Sequence, residues 1–176
     1  MKARLLLIPL SPLAMWTPAY AVTYLTMEQA QTLMFDGSVL TPDARTLTAE
    51  QVQAIESDSG VKVANRQLTA WRDDSGGWFL LDQVIGKHEV INYAVALDAT
   101  GALRQLEILD YHESYGGEVH LPAWRRQFVG KRHGSAVQLN ADIKNISGAT
   151  LSCGHVTAGV RRLLATYALV LAAAEH

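Results

Sequence analysis

Residues 76–113, GGWFLLDQVIGKHEVINYAVALDATGALRQLEILDYHE, alternate apolar and polar side chains between two turn signals, Gly86-Lys87 and Asp98–Gly101. A period of two sends successive side chains to opposite faces of a strand. Ile91, Tyr93, Val95 and Leu97 therefore share one face, and Leu103 through Tyr111 returns after the second turn. The stretch predicts a meander of antiparallel strands. Helical patterns flank it on both sides. The expected fold class is α+β, an antiparallel sheet meander packed by helices.

On the N-terminal side, Thr26–Met34 (TMEQAQTLM) and Thr48–Ser57 (TAEQVQAIES) each open with Thr followed three residues later by Gln. That is capping-box spacing, in which the two side chains satisfy each other's free backbone amides. Two short helices joined by the Gly37/Pro42 loop predict a small N-terminal helical cap region. Gly60 ends the second helix, and Val61–Arg72 is expected to supply a strand. On the C-terminal side a helix is expected from near Ser152. Its end, Leu163–Ala174, is strongly apolar but well short of the roughly 20 residues that a membrane span needs, so it reads as core-packing.

The composition is that of one ordinary globular domain: 176 residues, 49% hydrophobic and 18% charged. A formal charge of −2 leaves no basic excess to neutralise phosphates, which argues against a nucleic-acid partner. Lys2 and Arg4 precede the apolar run Leu5–Trp16, and Ala19-Tyr20-Ala21 follows it. This order of charged, apolar and small residues reads as a secretory signal peptide cleaved after Ala21. No Cys follows the apolar run as a lipid-attachment site would require. The division expected is 1–21 signal peptide, 22–75 N-terminal helical and strand region, and 76–176 the main domain. The product would be periplasmic, either free or associated with the membrane. The single Cys153 cannot make an internal disulfide and reads as a small residue at a helix start.

Few residues advertise chemistry. The surroundings of Ser152 do not fit the G-x-S-x-G elbow of a nucleophilic serine. No dinucleotide fingerprint and no nucleophile–base pair stands out, so no catalytic residue is assigned. His112, Glu113, Glu118 and His120 cluster, but their spacing matches no common zinc pattern, and no metal is expected. Arg125, Arg126, Lys131 and Arg132 form a small basic patch, either a solvated face or a surface for phosphate or an acidic electron-transfer partner. Residues 145–164, NISGATLSCGHVTAGVRRLL, place Ser147, Thr150, Ser152 and Thr157 among Gly and Ala at the start of the last helix. Two readings stand side by side. The hydroxyls are caps, or the small residues admit a ligand whose phosphate sits on the helix N-terminus, where the dipole stabilises an anion by roughly 0.3–1 kcal/mol.

Ser147-Gly148-Ala149-Thr150, followed by Leu151-Ser152, resembles the flavinylation motif of the FMN-binding domain family, which includes the C subunit of sodium-translocating NADH:quinone reductase and the G subunit of Rnf complexes. His112-Glu113-Ser114-Tyr115-Gly116-Gly117-Glu118 is similar to the family's E-T-x-G-x-G loop. Trp124, Gln127-Phe128, Gly130 and Lys131 are similar to its W-x-x-x-F-x-G-K element. The resemblance covers roughly residues 78–170. The N-terminal helices and GKHEVINYA look like a subgroup of small, exported, stand-alone members. One departure is plain: the family often carries an acidic residue three positions before the Ser, where this chain has Lys144, with Asp142 two residues earlier.

The resemblance implies FMN as cofactor, joined to Thr150 through a phosphoester by an Mg-dependent flavin transferase that uses FAD as donor. Ser147, Gly148 and Ala149 would form the recognition loop, flanked by Leu151 and Ser152. His112, Glu113, Gly116 and Gly117 would line the ring, Tyr111 or Trp124 would stack on it, and Lys131 would belong to the binding element. It also implies an electron-transfer carrier serving a redox protein partner, such as a membrane cytochrome or electron-transport complex. A non-covalent FMN or phosphate-ligand module and a flavin-dependent reductase remain the alternatives.

Overall fold

The computed structural model describes residues 22–113 and 116–175; the expected signal peptide lies outside them. Three strands run as the predicted meander, β5 (Trp78–Ile85), β6 (Val90–Leu97) and β7 (Leu103–Tyr111), and β4 (Gln67–Asp73) precedes them beside β5. All pair antiparallel, with Ile85 opposite Val90 and Trp78 opposite Leu97 at the two ends of the β5–β6 ladder. Short strands complete the edges. β1 (Val22–Thr23) lies on β7, and both β2 (Leu40–Pro42) and β3 (Arg45–Thr46) lie on β4. The fold is α+β.

Both capping boxes form. α1 (Met27–Phe35) is capped by Thr26 and Gln29, and α2 (Ala49–Ser59) by Thr48 and Gln51, each with reciprocal bonds between side chain and backbone. Gly60 ends α2 with φ +67°, a left-handed conformation that glycine adopts without steric cost. Two details differ from the sequence reading. The strand expected over Val61–Arg72 begins only at Gln67, because side chains take up the backbone before it. Ser59 accepts from the Val61 amide (3.2 Å), Glu56 from the Val63 amide (2.9 Å), and Arg162 donates to the Lys62 carbonyl (2.9 Å). Within the loop between the helices, β2 and β3 are too short to show alternation.

The sheet carries cover on both faces. Ile91, Tyr93, Val95 and Leu97 do share one face, and they pack against the long C-terminal helix α4 (Thr150–Thr166) and its continuation through Tyr167–Leu171. The other face of β6 presents Ala94 and Ala96, small enough to admit Ala30, Met34 and Phe35 of α1 against Phe79 and Leu109. α2 buries Ile55 against Ala165 and Val170. As expected, the apolar C-terminal helix packs into the core, with Leu163, Leu164, Tyr167, Val170 and Leu171 buried. No helix among the described residues is long and apolar enough to cross a membrane.

Candidate functional site

Three segments converge at the end of the sheet where β7 finishes: the β5–β6 hairpin tip, the segment after Tyr111, and the N-terminus of α4. Gly148, at φ +85°, turns the chain into the helix, a backbone state that side-chain-bearing residues rarely adopt. α4 begins at Thr150, two residues earlier than expected, and its N-cap is Ala149, which makes no side-chain cap bond. The first helical bond runs from the Cys153 amide to the Ala149 carbonyl (2.9 Å). The amides of Thr150, Leu151 and Ser152 thus lie ahead of the ladder at the positive end of the helix dipole. Neither Ser147 nor Ser152 caps the helix. The hydroxyl-rich run is not a capping device.

Above this helix start lies a cavity of about 420 Å³, lined by Lys87, His88, Glu113 and residues 148–152. The volume is in the range of small-ligand sites, roughly 300–1,000 Å³. Thr150 and Leu151 are exposed there, while Ser152 is buried and shares a 2.8 Å hydrogen bond with the Tyr111 hydroxyl. Asn145 Nδ2 donates to Thr150 Oγ1 at 2.8 Å. The two cationic-capable residues, Lys87 and His88, come from the hairpin tip. That tip is held from below: Glu113 Oε1 accepts from the His88 amide and from the Glu89 amide (2.9 Å), and His155 Nδ1 donates to the Gly86 carbonyl (3.0 Å). Partial burial works against ionisation of Glu113, but the amides of Glu89, His88 and Lys87 outweigh it and hold the carboxyl below its ordinary range.

The remaining residues named from sequence divide into those that support the site and those that stand apart. Gly116, at φ +86°, packs so closely that a Cβ would lie 2.7 Å from the Tyr111 hydroxyl and 3.2 Å from both Ala149 Cα and Ser152 Oγ. Only glycine lets that loop close on the helix start. Gly117 approaches the Tyr24 hydroxyl instead. Trp124 is buried edge-on to Phe128 and donates through Nε1 to the Lys144 carbonyl (2.9 Å), while Gln127 Oε1 accepts from the Lys144 amide (2.8 Å). The Trp-Gln-Phe element therefore clamps the chain just before the SGAT loop and does not line the cavity. Lys131 pairs with Asp142 (2.7 Å), whose carboxylate also accepts from the Gln138 amide (2.7 Å). Burial opposes ionisation of Asp142, yet the Gln138 and Lys131 contacts hold its carboxyl low. His112 is half-buried and is not among the cavity's lining residues.

Residues 86–165 match the family model of the FMN-binding domain. The chain carries an FMN-binding domain over these residues. A comparison with curated proteins gave no match. The FMN-binding domain begins at the hairpin tip and ends within α4, so it contains every residue that lines the cavity. The donor set fits the cofactor. Leading amides, Lys87 and His88 suit a phosphate, exposed Leu151 offers apolar contact, and the cavity has the volume of a ligand site.

Sequence reasoning missed Lys87, His88 and Asn145. Gly86-Lys87 reads in the sequence only as a turn and GKHE only as part of a resemblance, and Asn145 sits outside the SGAT quartet. No local signal marks a turn residue as lying over a helix that starts more than sixty positions away.

Proposed function

We propose that this protein is an exported flavoprotein that carries FMN covalently through Thr150 Oγ1 and shuttles electrons to or from a membrane-bound or periplasmic redox partner. The observation that carries the covalent reading is the placement of Thr150. It is the first residue of α4, exposed at the mouth of the cavity, with its hydroxyl uninvolved in capping. A phosphoester there would lie beside the leading amides of α4. When bound, the flavin supplies one- or two-electron chemistry, and the protein supplies orientation and electrostatics. Lys87 and His88 line the same cavity and would hold the phosphate there, and Gly116 leaves room for the loop to pack against the helix start. A covalent tether suits an exported carrier, because it retains the cofactor at any dilution outside the cytoplasm.

Intact mass tests the proposal. Co-expression with a flavin transferase is expected to add one FMN less one water to the wild-type chain, and Thr150→Val is expected to abolish the addition. Wild type that gains no mass with an active transferase overturns the covalent reading. Bleaching of the visible spectrum by a reductant, and its recovery on adding an oxidised partner, tests the electron-transfer role.

A further inference from the structure

We infer that Asn145 is the residue that positions the Thr150 hydroxyl for flavin transfer, an inference that rests on Thr150 being the acceptor. Three observations meet at this side chain. Its Nδ2 donates to Thr150 Oγ1 at 2.8 Å. Its Oδ1 is buried with no hydrogen-bond partner among the described residues. Its backbone is fixed from both sides: Lys144 is clamped by Trp124 and Gln127, and the Ile146 carbonyl accepts from the Ala149 amide (3.0 Å). A buried carbonyl left unpaired is unfavourable, so the pose gives up one polar contact of this amide and keeps the other, the bond to Thr150. Contact with the Thr150 oxygen is what the pose achieves.

The direction of the bond defines the role. Thr150 Oγ1 accepts from Asn145, which leaves the hydroxyl's own proton and its other lone pair outside that bond. An amide N–H cannot take that proton, and Asn145 is therefore a positioning residue and not a base. In the transfer, an Oγ1–P bond forms and the pyrophosphate P–O bond of FAD breaks. AMP departs with the electron pair, and the hydroxyl proton passes to a base of the transferase. The ester oxygen that results has no proton but keeps a lone pair, so the same Asn145 N–H serves acceptor and product alike. Holding one rotamer of a threonine removes misaligned attack geometries before the partner enzyme arrives.

The experiment uses the full chain with purified flavin transferase, FAD and Mg²⁺, following mass against time. Asn145→Ala is expected to lower kcat for labelling about tenfold, the upper end of what one neutral hydrogen bond supplies, with KM for the acceptor protein unchanged. Asn145→Asp, of the same shape but without the donor and with a negative charge, is expected to lose more. A readout free of flavin accompanies these. Side-chain NMR couplings of the unlabelled protein are expected to show one Thr150 χ1 rotamer in wild type and averaging in Asn145→Ala. Should Asn145→Ala lower the unfolding midpoint, Asn145→Asp carries the same test. Labelling of Asn145→Ala at the wild-type rate, or a loss confined to KM, overturns the inference while leaving Thr150 as acceptor. Wild type that gains no mass overturns the acceptor reading itself.

Discussion

Close approach at single residues shapes much of the packing around α4. Gly159 is the tightest case on that helix: a Cβ there would stand 2.3 Å from the Tyr93 hydroxyl and 2.9 Å from Val84 Cγ1. Tyr93 is fully buried, and burial pushes its phenol well above the ordinary range. The phenol donates to Asp82 (2.6 Å), which also accepts from Arg162 Nη2 (2.6 Å). The chain thereby ties helix to sheet through a neutral hydroxyl and one ion pair. Gly159→Ala is expected to cost about 1–3 kcal/mol through overpacking, measured as a shift in urea midpoint. An unchanged midpoint would mean that the helix can step back from Tyr93. Cys153, in the first turn of α4, is buried, and burial raises its thiol, which suits the small residue expected at the helix start. The glycine at 159 was visible in the sequence, but its reason was not, because Tyr93 stands 66 positions away.

At the scale of elements, the β5–β6 hairpin is the part whose position depends on one carboxylate. The turn at Gly86-Lys87 was legible from alternation and glycine alone. Its placement over Thr150 depends on Glu113, from beyond the end of β7, accepting the His88 and Glu89 amides. The Glu113 carboxyl titrates below its ordinary value. Its contribution is therefore complete above the unfolded value, about 4.3, and is lost as pH falls through the lower folded value. Amide hydrogen exchange at His88 and Glu89 is expected to show protection at neutral pH that disappears at acid pH, once corrected for intrinsic rates. Glu113→Ala is expected to remove that protection at every pH. Protection that survives this substitution would assign the tip's order to the His155–Gly86 bond.

Across the whole molecule, the N-terminal helices are part of the sheet's cover and not an appendage. α1 closes the face opposite α4, where Phe79 is fully buried against Phe35 and Trp71. α2 packs on α4 itself, and Arg161 Nε donates to the Ser59 carbonyl (2.8 Å). Phe79→Ala is expected to destabilise the chain by about 3–5 kcal/mol, in one cooperative denaturation transition seen equally by far-UV and aromatic signals. Separate transitions would show instead that the two faces unfold independently. Because Phe79 lies on the face away from Thr150, the folded fraction of this variant is expected to accept flavin as wild type does.

What the sequence by itself determined about this protein is whatever repeats or pairs within a few residues. The strand meander follows from period-two alternation, the two capped helices from Thr-x-x-Gln, and the candidate acceptor from Ser-Gly-Ala-Thr. The FMN-binding domain was likewise legible, since three motifs occur in order. Only the tertiary structure decided how these parts meet. It left the start of α4 without a side-chain cap, where the sequence had allowed either caps or a ligand seat, and it set Trp124 on the Lys144 carbonyl outside the cavity lining. It also brought Lys87, His88 and Asn145 to Thr150. The physical reason is range: capping and alternation act over one to four residues and leave a pattern in the chain. A hydrogen bond such as Glu113 to His88, or a close approach such as Gly116 to Ser152, joins positions whose spacing no local period encodes.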